Sequence, residues 1–362
     1  MKTNKIYQGN SLDVLKTFSD QSIDMAITSP PYWGLRDYQS EDTIWDCDCE
    51  HEHDFSTKTP PRRNRSTDDF KFAGEVQKGN IGSSPNLPET AFCSKCSAWK
   101  GQLGLEPNFD LFIKHLCDIF EETKRVLKDE GTLWVNLGDT YASSRPAGTS
   151  GNGTYNSTVS DAYAKSTQSF DFGRSGKNSA VGLQSNSRKG RGKAGNGVQN
   201  KSLVGIPFRF VIEMINRGWI CRQTIIWKKN NVMPSSAKDR FTVDFEYLFF
   251  FSKQQKYYFN QIKEENGRNK RTVWEINTKP YKEAHFAVFP EALIETPILA
   301  GCPPKGIVLD IFMGSGTTGL VALKNNRKYV GIELNEEYIG MAEKRLSPYK
   351  NQSLDGFQDQ KK

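Results

Sequence analysis

The sequence predicts an α/β protein built on a mostly parallel β-sheet with helices on both faces. Short apolar runs typical of buried strands alternate along the chain with segments whose apolar residues recur at helical spacing. One apolar run enters a glycine-rich turn and is followed by a helix, a further strand and an acidic residue, the order of a nucleoside-binding half of a doubly wound sheet. An aromatic run between residues 247 and 259 predicts an antiparallel hairpin at one edge of the sheet.

The first clear strand, Ile23–Ile27, runs directly into the sequence Thr28-Ser29-Pro30-Pro31-Tyr32-Trp33. Proline fixes φ and removes a hydrogen-bond donor, so this turn is rigid and its Ser29 and Pro30 oxygens can accept hydrogen bonds. Tyr32 adds a flat aromatic face beside them. Acceptors next to an aromatic ring suit a nucleobase that carries an exocyclic amino group and has been turned out of its helix. The alternative interpretation is an ordinary proline turn with a buried tyrosine.

The next elements alternate regularly between helix and strand. Their spacing predicts, in chain order, a helix over Phe109–Leu127, a strand over Gly131–Leu137, a helix near Ile206–Asn216, a strand near Ile220–Trp227, and a hairpin formed by Tyr247–Phe251 and Tyr257–Phe259.

The glycine-rich turn lies between two predicted strands near the end of the chain. Ile307–Phe312 is followed by Met313-Gly314-Ser315-Gly316-Thr317-Thr318-Gly319, a predicted helix over Leu320–Asn326, and the strand Tyr329–Ile332, which ends at Glu333. Glycine permits a sharp turn and a close approach to a ligand, and the acid suits ribose hydroxyls. The sequence lacks the third glycine of the dinucleotide pattern and the Gly-Lys-Ser/Thr of a phosphate loop. A nucleoside cofactor without a phosphate chain, such as S-adenosylmethionine, therefore fits best.

Together these motifs resemble the beta class of DNA amino-methyltransferases, in which a Ser/Asp-Pro-Pro-Tyr motif precedes the cofactor loop in a circularly permuted order. The resemblance implies a Rossmann-like methyltransferase fold that uses S-adenosylmethionine, with a mostly parallel seven-stranded sheet and an antiparallel edge hairpin. It implies that the catalytic residues are Ser29, Pro30, Pro31 and Tyr32. The implied cofactor-binding residues are Asn10, Phe289, Pro290, Asp310, Phe312, Gly314, Ser315, Gly316, Thr317 and Glu333.

Two of these cofactor contacts come from shorter matches. The segment Gly9–Leu12 resembles the one that contacts adenine, with Asn10 where the family more often has Asp. The segment His285–Pro290 resembles the one that covers the methionine end of the cofactor.

The implied reaction is methyl transfer from S-adenosylmethionine to the exocyclic N4 of cytosine in duplex DNA by base flipping. In this family Ser at the first motif position accompanies cytosine more often, whereas Asp accompanies adenine, so Ser29 favours cytosine and adenine N6 is the alternative. The setting would be a phage or a restriction-modification system, with a cognate restriction endonuclease acting on the same site. A more distant alternative is a non-catalytic zinc module that binds DNA. The order of the two motifs disfavours methyltransferases that act on RNA or on protein.

Two polar inserts divide the chain. We expect residues 1–39, 101–142 and 201–362 to form the catalytic domain, residues 40–100 a zinc-binding-like insert, and residues 143–200 a flexible basic insert rich in Gly and Ser. The basic insert carries eight Lys or Arg and two Asp residues, which accounts for most of the net charge of +7. This local excess predicts contact with DNA phosphates, and a surface insert without a role is the alternative.

The cysteines indicate a metal site. Four of the seven fall in the first insert, where Cys93-Ser94-Lys95-Cys96 forms a Cys-x-x-Cys pair and Cys49-Glu50-His51 offers two further ligands. We predict a structural, tetrahedral Zn²⁺ bound by Cys49, His51, Cys93 and Cys96. Cys47 and His53 are substitutes that the spacing does not exclude, and unliganded thiols are the alternative.

The composition predicts long polar segments and no membrane span. Only 36% of the 362 residues are hydrophobic, and the mean hydropathy is −0.64, which predicts long polar segments outside the core. The sequence contains no apolar run of 18 residues. Because the first residues also lack the apolar region of a signal peptide, we expect a cytoplasmic protein.

Overall fold

A computed structural model describes residues 1–34, 42–47, 49–55, 92–142, 198–278 and 289–350. In these ranges the elements are, in chain order, β1 (Lys5–Gln8), α1 (Ser11–Lys16), β2 (Ile23–Thr28), β3 (Thr43–Trp45), β4 (Trp99–Gly101), α2 (Phe109–Val126), β5 (Leu127–Leu137), α3 (Ile206–Asn216), β6 (Ile220–Lys228), β7 (Phe245–Ser252), β8 (Val273–Glu275), α4 (Glu291–Gly301), β9 (Ile307–Asp310), α5 (Thr317–Lys324), β10 (Lys328–Glu333) and α6 (Glu336–Lys350).

Eight of these strands form one sheet in the order β1-β10-β9-β2-β5-β7-β6-β8. The first five strands of that order are parallel to their neighbours, whereas β7 is antiparallel to both β5 and β6. The predicted α/β fold with a mostly parallel sheet is therefore confirmed. The structure adds an eighth strand, β8, whose three residues pair with the outer edge of β6.

Helices cover both faces of the sheet. On one face α2 is capped by Asn108, whose side chain accepts a hydrogen bond of 2.8 Å from the Leu111 amide, and the helix buries Phe112 and Phe120. The opposite face is covered by α4, α5 and α6, which contribute Leu293, Leu320 and Leu346 to a second core. Because both faces are covered, strands such as β2 are buried at nearly every position rather than at alternate ones.

The predicted hairpin between Tyr247–Phe251 and Tyr257–Phe259 is wrong. β7 pairs with β6 along its whole length, and residues 257–259 do not form a strand. Both edges of β7 are already hydrogen bonded, one to β5 and one to β6, so no free edge is left for residues 257–259. Instead Tyr257 and Phe259 pack on the ring of Phe250, with ring centroids 5.6 and 5.7 Å away.

The ends of the basic insert meet at one place in the fold. The Ala142 amide donates to the Ser202 carbonyl, and the Lys201 amide donates to the Ala142 carbonyl, at 2.8 and 2.9 Å. The Asp139 carboxylate accepts hydrogen bonds from the backbone amides of Gly205 and Ile206 at the start of α3. Residues 143–197 of this insert and residues 56–91 of the first insert lie outside the described residues. None of the helices in the described part of the chain is long and apolar enough to cross a membrane.

Candidate active site

The two predicted motifs meet at the carboxyl ends of neighbouring strands. β2 and β9 are parallel partners, with Met25 opposite Val308 and Ala26 opposite Leu309. At the end of β2 the Thr28 hydroxyl donates a hydrogen bond of 2.6 Å to the Asp310 carboxylate at the end of β9. The Ser-Pro-Pro-Tyr turn and the glycine loop therefore leave the sheet side by side, at the edge where open α/β sheets bind ligands.

Asp310 holds the start of the glycine loop. Its carboxylate is fully buried and accepts hydrogen bonds from the Thr28 hydroxyl, the Thr318 hydroxyl at 2.5 Å and the Phe312 amide at 3.0 Å. Burial raises the pKa of Asp310, and these three hydrogen bonds act in the opposite direction. Both carboxylate oxygens accept hydrogen bonds from the protein, so Asp310 stabilises the backbone at the start of the glycine loop.

The glycine loop turns sharply because two of its residues adopt left-handed backbone conformations. Gly314 has φ +49° and Gly316 has φ +82°, and a Cβ at Gly316 would lie 2.9 Å from the Cβ of Ala342. The side chains of Ser315 and Thr317 are buried, and Arg345 of α6 donates to the Thr317 hydroxyl at 2.9 Å. The side chains of Ser315 and Thr317 therefore pack within the protein, and Gly314 is the part of the loop that is only half-buried.

Glu333 lies at the end of β10, beside the glycine loop. Its carboxylate accepts hydrogen bonds from the backbone amides of Gly314 at 2.7 Å, Leu334 at 3.0 Å and Asn335 at 2.9 Å. Burial raises the pKa of Glu333, and the three amides lower it in part. The contact with Gly314 brings the predicted ribose-binding acid and the glycine loop together.

Three further predicted cofactor residues flank this loop. Asn10 follows β1, which pairs with β10 so that Gln8 lies opposite Glu333. The Asn10 side chain caps α1 by accepting from the Leu12 amide at 2.9 Å, and it donates to Thr43 at 3.0 Å. Phe289 and Pro290 precede α4, where Phe289 is half-buried against the second core. Residues 285–288 of that segment lie outside the described residues.

The Ser-Pro-Pro-Tyr turn is supported by residues that the sequence did not indicate. The Tyr32 hydroxyl donates to Glu246 of β7 at 2.7 Å, and the Ser29 hydroxyl lies 3.3 Å from the side-chain oxygen of Asn136, at the end of β5. Gly138 leaves room for the tyrosine ring, because a Cβ there would lie 2.8 Å from its Cε2 atom. Pro30 is buried and Pro31 is half-buried, so the turn is anchored on the sheet.

All six candidate metal ligands of the first insert lie close together. The ligand atoms of Cys49, His51, His53 and Cys96 are all within 4.8 Å of one another. The Cys93 sulfur lies 3.6 Å from Nε2 of His51, and the Cys47 sulfur lies 3.2 Å from Nε2 of His53. Ligands of a tetrahedral zinc ion are separated by about 3.3–3.8 Å, given bonds of about 2.0–2.3 Å.

The thiol chemistry of this cluster also suits a metal. Burial opposes ionisation of Cys93, but hydrogen bonds from His51 and His53 lower the pKa of its thiol to about 5. Metal ions bind the thiolate rather than the thiol, so an acidic cysteine beside two imidazoles is a favourable donor set.

Comparisons with known proteins agree with this geometry. The family model N6_N4_Mtase, described as DNA methylase, matches residues 23–344. The chain is 35% identical over 354 residues to the type II methyltransferase M.SmaI of Serratia marcescens, which covers 96% of this chain and 91% of that protein. It is also 35% identical over 347 residues to the type II methyltransferase M.Cfr9I of Citrobacter freundii, covering 94% of this chain and 87% of that protein.

The fold is also that of a solved enzyme. The structure of the PvuII DNA methyltransferase (cytosine-N4-specific) matches with a TM-score of 0.55 at 18% identity, covering 98% of this chain and 94% of that one. At this identity the match establishes the fold. The family match and the two bacterial relatives, each aligned over nearly the whole chain, show that the protein belongs to the N6/N4 family of DNA methylases and is a DNA methyltransferase.

Proposed function

We propose that this chain transfers a methyl group from S-adenosylmethionine to the exocyclic N4 of cytosine in duplex DNA, with the target base turned out of the helix. The observation that carries the proposal is the hydrogen bond between Thr28 and Asp310, which holds the Ser29–Tyr32 turn beside the Gly314–Gly316 loop. Direct transfer requires such adjacency, because the reacting atoms must approach to about 3–3.5 Å.

The residues around the glycine loop fit a nucleoside cofactor. We propose that the backbone of Gly314–Gly316 and the carboxylate of Glu333 hold S-adenosylmethionine, which when bound supplies a methyl group activated by a positively charged sulfur. Support comes from the buried side chains of Ser315 and Thr317, which leave the loop backbone as the contacting surface. Phe312, which is half-buried at the start of the loop, belongs to the same proposed set, as do Asn10, Phe289 and Pro290.

The Ser-Pro-Pro-Tyr turn would bind and orient the base. The Ser29 hydroxyl oxygen and the Pro30 carbonyl oxygen accept hydrogen bonds from the amino group, which favours a pyramidal nitrogen with a localised lone pair. Positioning of that lone pair then supplies much of the rate acceleration. The Tyr32 ring stacks on the flipped base and offsets the few kcal/mol lost when the base leaves the duplex.

The choice of cytosine depends on Ser29. In the family that the motif resembles, Ser at this position accompanies N4-cytosine more often than adenine. Adenine N6 presents the same amino geometry and is the alternative. We expect 4-methylcytosine when purified protein, duplex DNA and isotope-labelled S-adenosylmethionine are incubated and the digested nucleosides are analysed by mass spectrometry. Labelled 6-methyladenine would show that adenine N6 is the methylated position, and the proposed type of reaction would still hold. Protein that labels neither base above the level of a Tyr32→Ala preparation would contradict the proposal.

The proposed biological setting is a type II restriction-modification system. The two relatives named above are type II methyltransferases, and we propose that a restriction endonuclease acting on the same site accompanies this chain. DNA isolated from cells that express the chain should resist one specific endonuclease that cuts the modified sequence. Unchanged sensitivity at every mapped methylation site would argue against this partner.

We propose that the basic insert binds DNA phosphates without reading sequence. Each neutralised phosphate contributes about −0.9 to the slope of log K against log salt for duplex DNA. Replacing the four cationic residues Arg188, Lys189, Arg191 and Lys193 by Gln should make that slope shallower by up to about 4, as measured by fluorescence anisotropy. A slope that equals that of the unaltered chain would leave the insert without this role.

We also propose that Zn²⁺ bound by Cys49, His51, Cys93 and Cys96 stabilises the first insert. Four protein ligands leave no open position on the metal, so its role would be structural. The small β3–β4 sheet brackets this cluster in sequence, and Asn10 contacts Thr43 of β3, so the metal would stabilise a unit that touches the cofactor side of the site.

A further inference from the structure

A chain of side-chain contacts runs behind the Ser-Pro-Pro-Tyr turn and ends at an ion pair. From Ser29 and Tyr32 it passes through Asn136 to Glu246, and the Glu246 carboxylate is paired with the ammonium group of Lys229. Asn136, Glu246 and Lys229 lie on or directly beside β5, β7 and β6, three adjacent strands, so the sheet itself fixes their separation.

The orientation of the Asn136 amide is set by its neighbours. Its Nδ2 atom donates to Oε2 of Glu246 at 3.1 Å and to the Tyr247 carbonyl at 3.0 Å. The reverse orientation would place the amide oxygen against two acceptors, so Nδ2 must face them. Oδ1 consequently faces the Ser29 and Tyr32 hydroxyls, at 3.3 and 3.2 Å.

This orientation determines how Ser29 can interact with a substrate. The Tyr32 hydroxyl has one proton, and its shorter contact, 2.7 Å, is to the charged Glu246 oxygen. Oδ1 of Asn136 is then the acceptor for the Ser29 proton. A serine hydroxyl that has donated its proton retains two lone pairs, so Ser29 faces the pocket as an acceptor, which an amino group requires.

Glu246 is well placed to fix this arrangement. One of its oxygens receives the Tyr32 hydroxyl and the Asn136 amide, and the other receives Lys229, so both are occupied. The side chains of Lys229 and Glu246 are only 15% and 21% exposed, and the Lys229 ammonium also lies 4.2 Å from the centre of the Trp227 ring. Such a partly buried, fully bonded carboxylate has little freedom to move.

We infer that Glu246, held by Lys229, is a positioning residue for methyl transfer: through Asn136 it keeps Ser29 an acceptor, and through the Tyr32 hydroxyl it fixes the ring on which the base stacks. This inference rests on the proposed function, because it assumes that the Ser29–Tyr32 turn binds the target base. Glu246 itself need not touch the base or the cofactor.

Single-turnover methylation of duplex DNA tests the role of Glu246. The Glu246→Ala variant should lower the rate constant about 100-fold, the loss expected when a reacting group is misplaced by about 1 Å. Glu246→Gln keeps one oxygen acceptor and should recover part of that loss. The matched control is Glu213→Gln, which removes a similarly buried carboxylate of α3 from its ion pair with Arg217, the residue after that helix, and should leave the rate unchanged.

A double variant tests the hydrogen bond between Asn136 and Glu246 directly. Asn136→Asp alone places two carboxylates about 3 Å apart and should slow transfer at least as much as Glu246→Ala. Adding Glu246→Gln to that variant restores one donor and one acceptor across the contact, with the roles exchanged. The double variant should therefore be at least about tenfold faster than Asn136→Asp, a coupling that independent sites do not show.

Two further measurements separate positioning from folding and from the proposed function. In all variants the dissociation constant for S-adenosylmethionine should stay near that of Glu213→Gln, because the cofactor loop is untouched, and each variant should be folded at the assay temperature by its thermal unfolding curve. Variants of Glu246 and Asn136 that methylate as fast as the control, or a double variant no faster than Asn136→Asp, would overturn the inference. Unaltered protein that transfers no methyl group to DNA would instead refute the proposed function. If Glu246→Ala does not fold, the rates of Glu246→Gln, Asn136→Asp and the Asn136→Asp, Glu246→Gln double variant decide whether the inference holds.

Discussion

The hydroxyl of Thr28 donates to the carboxylate of Asp310 across 282 positions of sequence. Both groups are buried, so the bond is shielded from water. It fixes the end of the strand that carries the Ser-Pro-Pro-Tyr turn to the end of the strand that carries the glycine loop. This bond, the two motifs that it joins and the cysteine cluster lead to five predictions.

Removing this bond should destabilise the protein. Thr28→Val keeps the shape of the side chain but leaves a buried carboxylate oxygen without one donor, which costs about 1–3 kcal/mol. Urea unfolding should show this loss at neutral pH. Thr17→Val, which removes an exposed hydroxyl bonded to the Val14 carbonyl, is the control and should change stability far less.

The size of that loss should depend on pH. Burial already raises the pKa of Asp310 above its value in the unfolded chain, and loss of the Thr28 donor raises the folded pKa further. Between the unfolded and folded pKa values the folded state binds more protons, so stability falls as pH rises. Destabilisation by Thr28→Val should therefore be smaller at pH 5 than at pH 8, and the opposite trend would contradict the assignment.

The tyrosine of the turn should be required for transfer but not for cofactor binding. Stacking of a base on an aromatic ring is worth about 1–3 kcal/mol, which corresponds to a factor of about 5–150. Because loss of the ring also removes a partner of Glu246, Tyr32→Ala should lower turnover by at least about 100-fold. Calorimetric titration should still give the original affinity for S-adenosylmethionine. Near-normal methylation by Tyr32→Ala would refute the stacking role.

The glycine loop should tolerate no side chain at its first glycine. Gly314 has φ +49°, where a β-branched residue is strained, and its amide donates to Glu333. Gly314→Val should therefore abolish detectable binding of S-adenosylmethionine in calorimetry. Gly340→Ala is the matched control, since this glycine lies exposed in α6 with open space around it, and should bind normally. Retained binding by Gly314→Val would place the cofactor elsewhere.

The cysteine cluster should bind one zinc ion per chain. Mass spectrometry of the purified protein should give a metal ratio near one, and Cys93→Ser or Cys96→Ser should lose the metal. Cys221→Ser, which removes a half-buried thiol of β6 outside the cluster, should keep it. His53→Ala should also keep zinc, because His51 is the proposed histidine ligand. Loss of zinc in His53→Ala together with retention in His51→Ala would make His53, rather than His51, the histidine ligand.

Much of the fold was accessible from sequence because its strands are buried on both faces. The strand Ile23–Thr28 and the helix Ile206–Asn216 lie where their apolar patterns predict them. Short edge elements were not predicted, since β1 buries only Ile6 and β8 only Trp274, too few positions for a pattern. The aromatic strand was found, but its pairing partner depends on strand order, which local pattern does not contain.

The candidate site likewise divides into residues that a local sequence pattern indicates and residues that only the order of the strands brings together. Each of the two motifs is a continuous stretch of sequence, so its residues could be named as candidates in advance. Asn136 and Glu246 meet only because β5 and β7 pair with Asn136 opposite Leu248, which brings Glu246 onto the same face. The one available signal was that Asn136 is a polar residue at the end of a buried strand next to β2.

The closure of the chain at Ala142 and Ser202 has a consequence for protein engineering. Two backbone hydrogen bonds join Ala142 to Lys201 and Ser202, and Asp139 secures the first turn of the helix that follows. The main chain is thus anchored on both sides of the segment between them. A different sequence grafted at this junction should therefore leave the eight-stranded sheet intact, so the proposed contact with DNA can be exchanged independently of the Ser29–Tyr32 turn.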